Sequence, residues 1–160
     1  GAGRYGTYED RKISQEEFRI WLQYTFSHKM GTLKLDHRGR AEKRFFYASQ
    51  TGTNTEAMRY RYRLSGTLPL NNSKVQEGTF FVNAFEELFF GAGEPNFKRN
   101  RSFAGFGYQF NNSLSATTGY MFQREFSTKK NENYHFLYFA LNFTIDPSDD
   151  EKDFSIPMVD

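Results

Sequence analysis

The sequence predicts an all-β protein, an antiparallel up-and-down transmembrane β-barrel of about eight to twelve strands when complete. Apolar and polar residues alternate with period two in segments of about ten residues, the usual length of a membrane-spanning strand. The chain also holds 30 aromatic residues (19 Phe, 10 Tyr and 1 Trp), against 10 Leu, 4 Ile and 3 Val. Soluble cores use mainly Leu, Ile and Val, whereas Phe and Tyr suit a strand surface that faces lipid.

The first three segments show the clearest alternation. In segment 17–27, apolar side chains occupy every second position from Phe18 onward. In segment 32–45, every second residue from Lys34 onward is charged, and the residues between them are mainly small or apolar. Segment 58–68 alternates three arginines with aromatic and aliphatic residues. Since successive side chains of a strand point to opposite sides, each segment has one polar face and one less polar face.

Four further segments complete the pattern. In segment 79–90 the even positions are apolar except for Glu86, which interrupts the alternation and predicts a bulge. Segment 99–110 places basic residues and glycines opposite aromatic ones. Segment 113–125 sets hydroxyl and amide side chains against apolar ones, and segment 134–145 has one strongly apolar face. Seven strands are therefore predicted.

The connections between these segments fall into two kinds. Short ones are predicted at 28–31, 69–74 and 111–112, and they alternate with longer polar ones at 49–55, 91–96 and 127–133. Outer-membrane barrels have short turns on one rim and longer loops on the other. Because such barrels usually have an even number of strands, we expect residues 1–8 to supply the end of an eighth strand.

In a barrel, the apolar face of each strand contacts lipid and the polar face lines the lumen, since a charge facing lipid at mid-bilayer costs about 2–4 kcal/mol. The residues predicted to face lipid are Phe18, Ile20, Leu22, Tyr24, Tyr60, Tyr62, Leu64, Phe106, Tyr108, Tyr120, Phe122, Leu137, Phe139, Leu141 and Phe143. The residues predicted to form a luminal charge network are Asp36, Arg38, Arg40, Glu42, Arg44, Arg59, Arg61, Arg63, Glu87, Arg99, Arg101, Gln123 and Glu125.

We interpret the luminal charge network as a polar core in which arginines bridge carboxylates of neighbouring strands. The protein would then be a non-enzymatic structural or accessory subunit of an outer-membrane complex. One alternative is a narrow channel for small anionic solutes, lined by arginine. Another is a soluble lipocalin-like barrel, which would pack Tyr60 and Tyr62 around a ligand in its interior.

The residues predict no enzyme, no cofactor and no metal site. Cysteine is absent. His28 is placed in a turn, and His37 and His135 near strand ends on the lipid side, so no base is paired with a nucleophile. The net charge is +2, but the basic residues alternate with apolar ones within strands and do not form an exposed run, so no nucleic acid is expected as a partner.

Residues 146–160 differ from the rest of the chain. They hold six acids and one Lys, a local charge of −5, which leaves +7 for residues 1–145. We therefore divide the chain into a strand domain, 1–145, and an acidic flexible C-terminal tail, 146–160. An alternative function for the tail is that of a docking peptide, with apolar anchors at Phe154, Ile156, Pro157 and Met158.

Five short stretches occur in order at the spacing of strands. They are Glu-Phe-Arg-Ile-Trp-Leu-Gln at 17–23, Arg-Gly-Arg-Ala-Glu-Lys-Arg-Phe at 38–45, Arg-Tyr-Arg-Tyr at 59–62, Glu-Leu-Phe-Phe at 87–90 and Asn-Arg at 100–101. With these landmarks, the sequence over about residues 1–145 resembles domain of unknown function family 2490, whose members are predicted outer-membrane β-barrels common in Bacteroidota.

The resemblance implies a location and a fold, and it implies no activity. The expected location is the bacterial outer membrane. The candidate partners are membrane lipids, lipopolysaccharide and other outer-membrane proteins of a complex. Relative to the family, N-terminal strands are expected to be missing, and residues 146–160 extend past the usual end.

Overall fold

The computed structural model describes residues 1–9, 12–48 and 51–144. This part of the chain forms one antiparallel sheet of eight strands, each paired with its neighbours in sequence, and the sheet curves into a half-barrel. The predicted all-β, antiparallel, up-and-down arrangement is confirmed. The described residues contain no helix with the length and apolarity needed to cross a bilayer. The strands are β1 (Ala2–Glu9), β2 (Lys12–Met30), β3 (Leu33–Ala48), β4 (Thr53–Pro69), β5 (Thr79–Gly91), β6 (Phe97–Gln109), β7 (Leu114–Glu125) and β8 (Glu132–Phe143).

The seven predicted segments correspond to β2 through β8, and the piece expected from residues 1–8 is β1. The strand ends differ from the prediction, most of all in β2, which has 19 residues. The pairing of β2 with β3 continues to Met30 opposite Leu33, so the backbone hydrogen-bond ladder extends beyond the apolar stripe. His28, predicted to lie in a turn, is therefore part of β2. The predicted end of the last segment at Ile145 lies outside the described residues.

One connection contradicts the predicted regularity of the rims. Residues 70–78 link β4 to β5 on the rim where only short turns are expected, yet this link is nine residues long. Asn71 secures it, because its Nδ2 donates to the carbonyl of Gly78 and its Oδ1 accepts from the backbone N–H of Phe80, both at 2.8 Å. Side-chain hydrogen bonds to the backbone, which spacing does not reveal, thus stabilise a longer link than predicted.

The bulge predicted at Glu86 is wrong. Glu86 pairs with Ser102 in β6 without a shift in register, and the shift lies further on, between Phe89 and Phe90. Glu86 interrupts the apolar pattern because it is a polar residue on the side of β5 that is otherwise apolar. There its carboxylate accepts hydrogen bonds from Asn100 and, at 2.6 Å, from the hydroxyl of Ser102.

The two faces of the sheet have opposite chemistry. We call the face that carries the buried charged side chains the inner face, and the other the outer face. In β4, Tyr60 and Tyr62 are 52% and 42% exposed on the outer face, whereas Arg61 and Arg63 are buried on the inner face. Curvature brings the inner side chains together and spreads the outer ones apart, so the polar face is the buried one.

Aromatic rings also lie on the inner face, where the sequence pattern predicts mainly polar residues. The ring of Phe81 fits there because β6 has a glycine, Gly107, where a Cβ atom would overlap that ring. The buried hydrophobic residues of the described chain are Phe81, Phe85, Phe89 and Phe103.

Candidate functional site on the inner face

Two buried glutamates organise a cluster of arginines on the inner face. Glu42 in β3 and Glu87 in β5 are both fully buried, and β4 runs between them. Strand register places Glu42 opposite Arg59 and Glu87 opposite Arg63. We call this cluster the arginine–glutamate network. Its members are Arg38, Arg40, Glu42, Arg59, Arg61, Arg63, Glu87 and Arg101.

Glu87 joins strands on both of its sides. Its Oε1 accepts from Nη2 of Arg38 at 3.0 Å and from Nη2 of Arg61 at 2.8 Å, while its Oε2 accepts from Nη2 of Arg63 at 2.8 Å. Nη1 of Arg101 lies 3.7 Å from the same Oε2. One carboxylate on β5 therefore connects side chains of β3, β4 and β6.

Glu42 makes a second junction. Nη2 of Arg59 lies 2.5 Å from its Oε2, and Nη1 of Arg61 donates to its Oε1 at 3.0 Å. Nη1 of Arg40 lies 3.7 Å from Oε1. Because Arg61 binds both Glu42 and Glu87, the two junctions form one continuous structure rather than two separate ion pairs.

Aromatic rings support the guanidinium groups. The centre of the Phe89 ring lies 4.8 Å from the guanidinium carbon of Arg61 and 5.3 Å from that of Arg101. The Phe85 ring lies 4.1 Å from that of Arg63. Cation–π contacts of this kind favour a buried cation by about 0.5–2 kcal/mol. Phe85 and Phe89 lie two residues before and after Glu87 in β5, so all three side chains point to the same face. This spacing was the signal in the sequence that could have placed both rings on the inner face.

A separate ion cluster lies nearer the rim of the β3–β4 link. Oε1 of Glu17 accepts from Nε of Arg19 at 2.7 Å and from Nε of Arg44 at 2.5 Å. Arg44 therefore belongs to this cluster and not to the arginine–glutamate network. Glu17 and Arg19 were missing from the predicted luminal set, although their alternation with Phe18 places them on the inner face.

The remaining predicted charges lie beside the network. Arg101 donates to Gln123 at 2.8 Å, Gln123 donates to Glu125 at 2.9 Å, and Arg99 donates to Glu125 at 2.6 Å. Asp36 lies toward the opposite rim, 3.6 Å from the amino group of Lys34. By strand register, all thirteen residues predicted for the luminal charge network lie on the inner face.

The fifteen residues predicted to face lipid all lie on the outer face. Tyr108 and Phe122 are half-buried, and the others are exposed, up to 93% for Leu137. All three histidines share this face. The ring of His28 is stacked on that of His37, Nδ1 of His37 lies 2.8 Å from the hydroxyl of Tyr62, and His135 is hydrogen-bonded to Tyr120. The histidines and the network carboxylates are thus on opposite sides of the sheet.

The chemistry of the inner face is electrostatic. Its two central carboxylates are each bound by arginines. Among the described residues, no group of three His, Asp or Glu side chains could hold a metal ion. Arginines arranged in this way can cross-link strands, and they can also bind anions.

Comparison with known protein families agrees with the landmarks in the sequence. The model of the family described as "Protein of unknown function (DUF2490)" matches residues 1–134. The chain belongs to the DUF2490 family. The DUF2490 match includes β1 to β7, the start of β8 and the whole arginine–glutamate network. No curated protein and no solved structure matches the chain.

Proposed function

We propose that this DUF2490 protein forms the wall of a bacterial outer-membrane β-barrel and acts as a non-enzymatic structural or accessory subunit of an outer-membrane complex. The observation that supports this proposal is the segregation of the two faces, with buried charges inside and exposed aromatic and aliphatic side chains outside. A water-soluble sheet would bury its apolar face. A contiguous exposed apolar patch larger than a few hundred Å² is rare on a soluble monomer, and it marks a surface that contacts another protein or a membrane.

Strand length supports the same proposal. Strands β2 to β8 have 12 residues or more. A tilted strand needs about 9–11 residues to cross the hydrocarbon layer. In the proposed arrangement, lipid tails cover the outer face and the arginine–glutamate network holds the strands in register. The expected partners are membrane lipids and other proteins of the complex.

Basic side chains on the outer face favour lipopolysaccharide as a further partner. Lys43 and Arg124 lie on this face toward the rim that carries the β3–β4, β5–β6 and β7–β8 links. Phosphate groups of lipopolysaccharide lie in the outer leaflet, and cations near that depth attract them. We therefore propose that this rim faces the cell exterior.

Fractionation of cells expressing the full-length protein tests the membrane proposal. The protein is expected in the outer-membrane fraction and, after purification, in the detergent-rich phase of a phase-separating detergent. Recovery in the aqueous phase without detergent would contradict the proposal. It would favour the lipocalin-like alternative, although Tyr60 and Tyr62, which that alternative needs in the interior, lie on the outer face.

The second candidate function is a passage for small anions. The observation that favours it is the excess of arginine over carboxylate in the arginine–glutamate network, which gives a lumen a positive potential. Reconstitution in planar bilayers separates the candidates. Discrete conductance with anion preference, lost in the Arg61→Glu variant, supports a channel. Absence of conductance in the correctly folded protein supports a purely structural barrel.

A further inference from the structure

A cavity of about 340 Å³ lies on the outer face, near the rim of the β3–β4 link, and is lined by side chains of β1 to β4. Three rings form its apolar wall: Phe18, Phe45 and Tyr47. Phe18 and Tyr47 are exposed, Phe45 is half-buried, and the ring centres of Phe18 and Phe45 are 6.1 Å apart. Sites for small molecules usually have volumes of about 300–1,000 Å³, so the cavity has room for a small ligand.

Polar side chains surround these rings. Nη2 of Arg4 donates to the two carboxylate oxygens of Glu16 at 2.8 and 2.7 Å. Nζ of Lys43, beside the cavity, lies 2.9 Å from Oε2 of Glu56. Asn54 also lines the cavity, and its exposed amide can both donate and accept. The ion pairs hold the charged groups in place, so the rings are flanked by ordered hydrogen-bond donors and acceptors.

The charges around the cavity cancel. Two basic and two acidic side chains, joined in two ion pairs, have a net charge of zero. A phosphate or an ammonium ion would meet charges that are already neutralised by their partners, so neither ion is strongly attracted. A wholly apolar ligand would fit the rings, but it would also remove water from the polar groups, which is unfavourable. The cavity therefore favours an uncharged ligand with one apolar and one polar side.

A sugar ring has this chemistry. One face of a pyranose carries mainly C–H groups, which pack against aromatic rings, while the hydroxyls at its edge bond to carboxylate, guanidinium and amide groups. We propose that the cavity binds a pyranose sugar. Its C–H face lies against the rings of Phe45 and Tyr47, and its hydroxyls lie at the flanking polar side chains. A free saccharide and the sugar portion of lipopolysaccharide share this chemistry.

The site lies beyond the apolar stripe of the outer face. In β4, the outward side chains change from Tyr60 and Met58 to Glu56 and Asn54 toward this rim. The cavity is thus open to water both in a soluble sheet and in a membrane barrel, and the inference does not depend on the membrane proposal. The predicted acidic tail, 146–160, lies outside the described residues, and the site is built without it.

Saturation-transfer NMR on the full-length protein tests the site, because it reports which protons of a ligand contact the protein. Aromatic resonances of the protein are irradiated, in whichever of buffer or detergent keeps it monomeric, and the probes are glucose, galactose, mannose and N-acetylglucosamine. At least one probe is expected to show saturation at the protons of one ring face. Tyr47→Leu should weaken its binding up to about tenfold, because the variant keeps apolar bulk but loses the aromatic ring. Tyr47→Phe should keep the binding.

Tyr60→Leu is the matched control, because Tyr60 is exposed on the same face but does not line the cavity. It is expected to bind the probe as the unchanged protein does. Asn54→Ala combined with Glu56→Ala tests the polar side of the site at two exposed positions, and it should also weaken binding. These two changes serve if Tyr47→Leu does not fold.

The oligosaccharide released from lipopolysaccharide is the last probe. Tighter binding than that of the simple sugars assigns the ligand to lipopolysaccharide, and weaker binding assigns it to a free saccharide. Absence of saturation in every probe, the oligosaccharide included, would overturn the proposal. Equal saturation in the Tyr47→Leu and Tyr60→Leu proteins would also overturn it.

Discussion

At Glu87, arginines from three strands converge on one fully buried carboxylate. Their mutual repulsion is tolerated only because the carboxylate lies between them. Removing one charge from a buried cluster lowers the free energy of unfolding strongly, because the remaining charges stay desolvated without their partner. Replacing the whole cluster by apolar residues often costs much less. The stability of the sheet is therefore expected to depend strongly on this single residue.

The variant Glu87→Gln is expected to lower the free energy of unfolding by about 3–5 kcal/mol. The matched control is Glu125→Gln, because the Glu125 carboxylate is about a third exposed and its ion pair with Arg99 lies close to solvent, so the loss should stay below about 1 kcal/mol. Unfolding in urea is followed by the fluorescence of Trp21, the single tryptophan of the chain. Equal losses in the two variants would show that the network does not stabilise the fold.

Steric fit can be tested at Gly107. The variant Gly107→Ala places a methyl group against the ring of Phe81 in the inner face, which should cost about 1–3 kcal/mol through overpacking. Gly39→Ala is the control, because a Cβ there meets no atom within 4 Å. It is expected to be neutral or to stabilise by up to about 1 kcal/mol. The same urea measurement applies, and a neutral Gly107→Ala variant would contradict the packing described for Phe81.

The sequence predicted which charged residues lie on the inner face, but it did not predict which arginine binds which glutamate. Alternation assigned Arg61 and Glu87 to the inner face because side chains of a strand alternate in direction. Which arginine meets which glutamate depends on the register of several strands and on the reach of long side chains. Arg38 contacts Glu87 across the whole of β4, and no spacing within one segment encodes that contact.

For the strands, period two identified seven of the eight elements, but it did not fix their ends. β2 runs to Met30 because backbone pairing with β3 continues after the apolar stripe stops. The bulge was misplaced because a polar residue on the outer face, Glu86, breaks the apolar pattern just as a bulge does. The true shift at Phe89 and Phe90 leaves no mark in the hydrophobic pattern, since both residues are phenylalanine.

The β4–β5 link gives a prediction for a single element. In Asn71→Ala, the backbone N–H of Phe80 loses its acceptor and the carbonyl of Gly78 loses its donor. Amide hydrogen exchange at Phe80 is expected to rise about tenfold, the effect of one ordinary hydrogen bond. Ser73→Ala, at an exposed position of the same link, should leave exchange unchanged. Equal exchange in both variants would mean that Asn71 does not secure the link.

For the whole molecule, the proposed function depends on what covers the outer face. The half-barrel exposes large apolar side chains on most of its strands, while most of the charged side chains of those strands lie on the inner face. The proposed contact with lipid accounts for this distribution, because hydrocarbon removes the penalty for exposed apolar surface and imposes one on exposed charge. The proposed structural role of the network follows from that placement, whereas the proposed orientation of the rims rests on the basic side chains of the outer face.

Quenching of tryptophan fluorescence by brominated lipids tests this placement most directly. Native Trp21 lies on the inner face, opposite Glu42, and serves as the internal control. A second variant combines Trp21→Phe with Tyr60→Trp, which moves the single tryptophan to the outer face. In vesicles of brominated lipid, we expect strong quenching for the Tyr60→Trp protein and little for the protein with native Trp21. Equal quenching, or quenching of Trp21 alone, would show that the outer face does not contact lipid.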